Sequence, residues 1–139
     1  MAASKSARAG QPDVSGPVKT AAQRRDGHLP DLQVLVCDDD PSTRFIVKRL
    51  IDQELACVVS ECGDGVEVLQ ALAHGHVDLL VLDIEMPGLD GIDVLGEIRQ
   101  SPELRRLPVL MLSKERRKET VLKFVDLGID GYLTKPLRA

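Results

Sequence analysis

From residue 33 onward the chain alternates short, unbroken apolar runs with longer amphipathic stretches, and few architectures accommodate that pattern. Strands buried on both faces read as continuous Val, Ile and Leu, whereas helices laid across a parallel sheet read as apolar stripes. The runs at 33–37, 57–61, 79–82, 109–112 and 131–134 are the expected strands. After the first, Asp40-Pro41 supplies an acidic N-cap and a proline at N1 for a helix reaching about residue 53. Asp64, with Glu67 three residues on, forms a capping-box-like start for a second helix that ends near Ala73, before Gly75. Beyond the Pro87-Gly88 turn, Ile92, Leu95 and Ile98 make one helical stripe, which the Ser101-Pro102 step stops. Residues 115–127 carry Val121, Leu122 and Val125 on one helical face, with Gly128 placed as a C′ residue. Five strand-then-helix units therefore begin, the last incomplete, which predicts an α/β sheet with right-handed crossovers.

At 139 residues the chain is about one domain long. With two Phe, one Tyr and no Trp, its core must come from Leu, Val and Ile, and no aromatic platform for stacking bases exists. Residues 1–30 carry five Lys or Arg against two acids (net +3), while residues 31–139 carry thirteen against twenty (net −7), giving −4 in all. An acidic folded part lacks the clustered cations that nucleic acid demands, so direct nucleic-acid binding by this segment is not expected. No run of about 18 apolar residues and no secretory apolar core is present, so membrane insertion and export are not expected and a cytoplasmic location is. Residues 1–30, punctuated by Gly10, Pro12, Gly16 and Pro17, read as a disordered N-terminal tail. Their Arg and Ser content admits a transit peptide as a minor alternative, which the breakers, Asp13 and Asp26 weaken. Cys37, Cys57 and Cys62 lack CxxC or Cys/His spacing and read first as reduced, buried small hydrophobes, with a redox or metal role as the alternative.

In such a sheet the loops after the strands gather along one edge, where chemistry is expected. The first strand delivers Asp38, Asp39 and Asp40 there, and the third delivers Asp83 and, two residues later, Glu85. Carboxylates packed together resist ionising unless a hard cation neutralises them, and Mg²⁺ suits oxygen ligands while leaving positions open for water and phosphate. The fourth strand supplies Ser113 and the fifth Lys135, followed by Pro136. A carboxylate nucleophile, a metal site, an ammonium and a hydroxyl together suit phosphoryl transfer. Taken singly, Asp40 reads as a helix cap and Asp90 and Asp93 as turn and solvated-helix residues; the joint placement carries the functional reading.

Four segments, in order, resemble the signatures of the response-regulator receiver family of two-component, or phosphorelay, signalling: Val34-Leu35-Val36-Cys37-Asp38-Asp39-Asp40-Pro41, Leu82-Asp83-Ile84-Glu85-Met86-Pro87-Gly88-Leu89-Asp90-Gly91, Leu112-Ser113, and Tyr132-Leu133-Thr134-Lys135-Pro136. The resemblance covers residues 33–137. It implies a doubly wound, flavodoxin-like five-stranded parallel sheet of order 2-1-3-4-5. It also implies phosphorylation by a histidine kinase or histidine phosphotransfer protein, and an output domain or effector protein as the responding partner. By position, Asp83 resembles the phosphoacceptor, Asp39 the direct Mg²⁺ ligand and Asp38 the acid that reaches the metal chiefly through water; Mn²⁺ is the alternative ion. Glu85 would offer its backbone carbonyl, Ser113 the switch hydroxyl, Lys135 the lysine that pairs with the phosphoryl group, and Tyr132 the aromatic that follows the hydroxyl inward. The Lys135-Pro136 bond would be cis.

Two departures from the family stand out. Lys114 occupies a position that is typically small, and with Glu85 it is expected to make the phosphoryl lifetime unusual. The chain also ends at Ala139, where the family continues into a fifth helix. A receiver domain spanning 31–139 and truncated after the fifth strand would leave apolar surface uncovered, which predicts marginal stability, self-association including a homodimer, or, the preferred reading, origin in a longer protein carrying the output domain. The expected activity is regulatory rather than enzymatic, exercised through the fourth helix and fifth strand. Arg116, Arg117 and Lys118 at that helix's start read as a solvated face before an acidic-partner site. Two other classes compete. A phosphohydrolase would need a second aspartate two residues after Asp83 and a cap segment, and neither is present; a phosphorylation-independent adaptor would not need the intact acidic set.

Overall fold

The apolar run beginning at Leu32 is buried on both faces, with Val34, Leu35, Val36 and Cys37 each 2 % exposed or less. Burial on both sides makes it the interior strand β1 (Leu32–Cys37), flanked by β2 (Cys57–Cys62) and β3 (Leu79–Asp83). The sheet continues through β4 (Val109–Ser113) to β5 (Gly131–Thr134), all neighbours parallel, so the order is 2-1-3-4-5. The fold is the doubly wound, flavodoxin-like sheet expected from the sequence. The computed structural model describes residues 31–137. The tail expected at 1–30 lies outside the described residues.

Helices α1 (Pro41–Glu54), α2 (Gly65–His74), α3 (Gly91–Gln100) and α4 (Lys118–Asp126) connect the strands, and among the described residues none follows β5. Asp40 caps α1, its Oδ1 accepting from the Ser42 amide at 2.9 Å. Asp64 caps α2 from Oδ1 to the Glu67 amide at 2.9 Å, while Glu67 reaches back to the Gly63 amide at 2.7 Å. On one face of the sheet Val34, Val36, Val81 and Leu112 pack with Val47 of α1, and Ile51, Leu110 and Leu137 border that cluster. Each fully buried Val or Leu contributes about 1.5–3 kcal/mol. Asp78 and Asp130 stitch the strand starts, their Oδ2 atoms accepting from the Gln33 and Val109 amides at 2.8 Å each.

Residues Leu32–Gly96, with the chain from Pro108 onward, form the sheet-bearing unit, which holds the whole candidate site; Glu97–Leu107 groups apart. Within that short segment Arg99 Nη1 donates to the Arg105 and Leu107 carbonyls at 3.1 and 2.7 Å.

Three expectations need correction. The last helix begins at Lys118, not residue 115, because Glu115 Oε2 accepts from the Arg116 and Arg117 amides at 3.1 and 2.8 Å and holds that stretch as a loop. The inward residue of α4 is Phe124, 8 % exposed; of the expected apolar stripe, Val121 is half-buried while Leu122 and Val125 are 50 % and 51 % exposed. Cys37 and Cys62 are buried as anticipated, but Cys57 is only half-buried. Gly128 does take the left-handed conformation of a C′ residue (φ +95°), whereas Gly75 after α2 is extended.

Candidate functional site

Each strand end is pinned to its neighbour just where the polar residues begin. The Asp38 amide donates to the Cys62 carbonyl at 3.2 Å, the Ile84 amide to Leu112 at 3.0 Å, and the Lys135 amide to Ser113 at 2.8 Å. The β3–α3 loop is held by Gly88 in a left-handed turn (φ +73°) and by Gly91, whose amide donates to the Ile84 carbonyl at 2.9 Å. These ties put Asp38, Asp83, Ser113 and Lys135 at one edge of the sheet.

Asp38, Asp83 and Ser113 are fully buried, and Asp39 is exposed at the mouth. A carboxylate oxygen from each of Asp38, Asp39 and Asp83 lies within 4.8 Å of the others. The Lys135 ammonium bridges two of them, 2.8 Å from Asp38 Oδ2 and 3.0 Å from Asp83 Oδ1. Asp38 Oδ1 accepts from the Asp40 amide at 2.8 Å, and Asp83 Oδ1 from the Glu85 amide at 3.2 Å. Asp83 Oδ2 is buried and has no donor among the described residues. Burial pushes the Asp83 carboxyl up to about 6, helped by the charge of Asp38 and opposed by Lys135. Burial alone would lower Lys135, but its bonds to Asp38 and Asp83 outweigh that and raise it, so it stays charged.

Three carboxylates facing one ammonium leave excess negative charge, and an orphaned buried oxygen is costly unless something meets it. A hard cation with oxygen preference fits both features. The open cleft above them, about 730 Å³, is lined by Asp39, Asp83, Glu85, Lys114, Arg116 and Lys135 among others, enough room for a phosphoryl group and water.

Ser113 Oγ donates to Glu85 Oε2 at 2.8 Å and accepts from the Glu115 amide at 3.0 Å. Tyr132 stacks on Phe124 with ring centroids 5.9 Å apart, and its hydroxyl donates to the Glu115 carbonyl at 2.6 Å. Arg117 lies in bidentate contact with Glu115, 2.9 Å on each arm, and its hydrogen bonds hold that carboxyl down at about 2. The Lys135-Pro136 peptide is cis.

All the residues singled out from sequence, Asp38, Asp39, Asp83, Glu85, Ser113, Lys114, Tyr132 and Lys135, therefore come to this one edge. Asp40 serves as a cap, and Asp90 Oδ1 accepts from the Asp93 amide at 3.0 Å, so those two acids stand in the local roles expected of them. The sequence reading missed Glu115, the hub for Ser113 and Tyr132, and Arg116, whose Nη2 donates to the Lys135 carbonyl at 3.0 Å. Their only signal was position, directly after Ser113 at the end of a strand.

With this geometry in hand, the class is defined. The chain belongs to the response regulator receiver domain family, whose model matches residues 34–139. It is 38 % identical over 109 residues to the chemotaxis protein CheY-3 of Vibrio cholerae, covering 78 % of this chain and 84 % of that protein. Among solved structures it is similar to the chemotaxis response regulator CheY4 of Vibrio cholerae, at TM-score 0.72 and 27 % identity over 78 % of this chain and 90 % of the other. It is also similar to the phosphorylated cyanobacterial phytochrome response regulator RcpA, at TM-score 0.67 and 26 % identity over 78 % and 84 %. The chain is thus a regulatory module of phosphorylation-dependent two-component signalling. No helix of the described residues is long and apolar enough to cross a membrane.

Proposed function

We propose that this chain is a phosphorylation-activated switch that accepts a phosphoryl group on Asp83 from a histidine kinase or histidine phosphotransfer protein. The observation that carries this reading is the buried Asp83 carboxylate, with one oxygen on Lys135 at 3.0 Å and the other without a donor among the described residues. That free oxygen is the nucleophile, and Lys135 compensates charge that builds on the incoming phosphoryl oxygens. Asp38, Asp39, Asp83 and the Glu85 backbone carbonyl would hold Mg²⁺, or Mn²⁺, which when bound supplies the positive charge and the phosphoryl-oxygen binding that three carboxylates lack. The Ser113 hydroxyl then exchanges Glu85 for the phosphoryl group, and Tyr132 follows through Glu115, which touches both. The change is read by an output domain or protein partner at the α4–β5 face, where Leu122 and Val125 stand exposed. A cytoplasmic location goes with this reading.

Intact-protein mass after incubation with acetyl phosphate and Mg²⁺ tests it. A gain of one phosphoryl group, lost in Asp83→Asn and with EDTA, is expected. A folded protein that gains none would instead be an adaptor that uses the fold for binding alone.

A further inference from the structure

The proposed phosphoryl chemistry leaves the thiols unused, and the sheet sets two of them side by side. Cys37 ends β1 and Cys62 ends β2, and the two are register partners across that parallel pair. Such partners project from the same face of strands about 4.8 Å apart, inside the Cα separation of roughly 4.4–6.8 Å that a disulfide spans. Both thiols are free, Cys37 fully buried and Cys62 7 % exposed. On its other sides Cys37 Sγ donates to the Asp64 carbonyl at 3.4 Å and touches Met86 Sδ at 3.3 Å. Cys57 sits at the opposite end of β2, its thiol 3.7 Å from Asp52 Oδ1.

The pair is mechanically tied to the acidic pocket. Cys37 directly precedes Asp38, and the Asp38 amide donates to the Cys62 carbonyl at 3.2 Å. A bond between the two sulfurs would close a covalent ring around the backbone that aims Asp38.

We propose that Cys37 and Cys62 are an oxidisable dithiol, a modification site whose closure to a disulfide weakens the hold of the acidic pocket on a divalent cation. The oxidant is a peroxide: two thiols and one hydrogen peroxide give one disulfide and two waters, the sulfurs losing two electrons and two protons as the O–O bond breaks. The dithiol itself stands apart from the proposed function; its effect on cation binding rests on that reading.

The test treats the full chain with hydrogen peroxide, blocks remaining thiols by alkylation, and maps peptides without reduction. A loss of two hydrogens and a Cys37–Cys62 cross-link are expected, reversed by dithiothreitol, kept in Cys57→Ser and absent in Cys62→Ser. Stepwise oxygen addition without a cross-link, a cross-link through Cys57, or no reaction in the folded wild-type chain would overturn it. Calorimetric titration of Mg²⁺ should then give roughly tenfold weaker binding to the oxidised form, as when a ligand loses its support. Equal affinity of the two forms would sink the coupling. A protein that binds Mg²⁺ in neither form would count against the proposed function, and the mass readout would still decide the dithiol.

Discussion

The Ser113 hydroxyl cannot serve a phosphoryl group while it donates to Glu85 Oε2 at 2.8 Å. A phosphoryl group on Asp83 would repel that carboxylate, so Glu85 opposes both the arrival of charge and the release of the hydroxyl. Replacing the charged acceptor by a neutral one weakens the hydrogen bond by about 1 kcal/mol, so Glu85→Gln is expected to speed labelling by acetyl phosphate about fivefold; an unchanged or slower rate would remove Glu85 from this role. Lys114 is exposed on the same cleft, and Lys114→Ala is expected to change the decay rate of the phosphorylated protein, measured by loss of the mass increment. An unchanged decay would show that its cation does not screen the site. Asp38, Asp83, Ser113 and Lys135 were legible because each follows an apolar run that had to be a strand. The capture of Ser113 by Glu85 was not, since it depends on side-chain rotamers that a linear pattern does not encode.

The loops hold most of the positioning at the scale of elements. A Cβ on Gly91 would lie 2.3 Å from the Asp83 carbonyl oxygen and 2.7 Å from Ile84 Cα, both backbone atoms that cannot swing aside. Gly91→Ala should therefore cost about 1–3 kcal/mol in urea unfolding and slow phosphorylation, because the loop that carries Glu85 must shift. A cost below about 0.5 kcal/mol would mean that the loop re-forms around the methyl. The strand and helix order was legible from periodicity, but the start of α4 was not. Residues 115–117 are compatible with a helix by propensity, and the bonds of Glu115 to the next two amides outcompete it. α4 itself buries Phe124 and leaves Leu122 and Val125 exposed.

For the whole molecule the acidic pocket without a cation is a source of instability. Asp83 titrates at about 6 in the fold but near about 3.9 in an unfolded chain. Between those values the folded state holds a proton that the unfolded chain has released, so metal-free stability falls as pH rises from about 4 to about 6 and stays low above. Glu115, held at about 2, acts with the opposite sign, but only at lower pH. The stability gap between Asp83→Asn and wild type, measured by urea unfolding without metal, should therefore widen in favour of the variant across that window. A gap independent of pH would contradict the burial argument. Mg²⁺ at a hundredfold its dissociation constant should restore about 2.7 kcal/mol near neutral pH, and Asp39→Asn should abolish that gain.

Tyr132 is the sole tyrosine in a chain without tryptophan. Near-ultraviolet fluorescence of the unlabelled protein thus comes from a single phenol, one that stacks on Phe124 and donates to the Glu115 carbonyl. The amide of that same Glu115 donates to Ser113 Oγ at 3.0 Å, so displacement of the hydroxyl is expected to disturb the phenol's surroundings. The molecule carries its own optical reporter beside the acidic pocket, and stopped-flow emission during labelling by acetyl phosphate is expected to follow the proposed switch in real time without an attached dye.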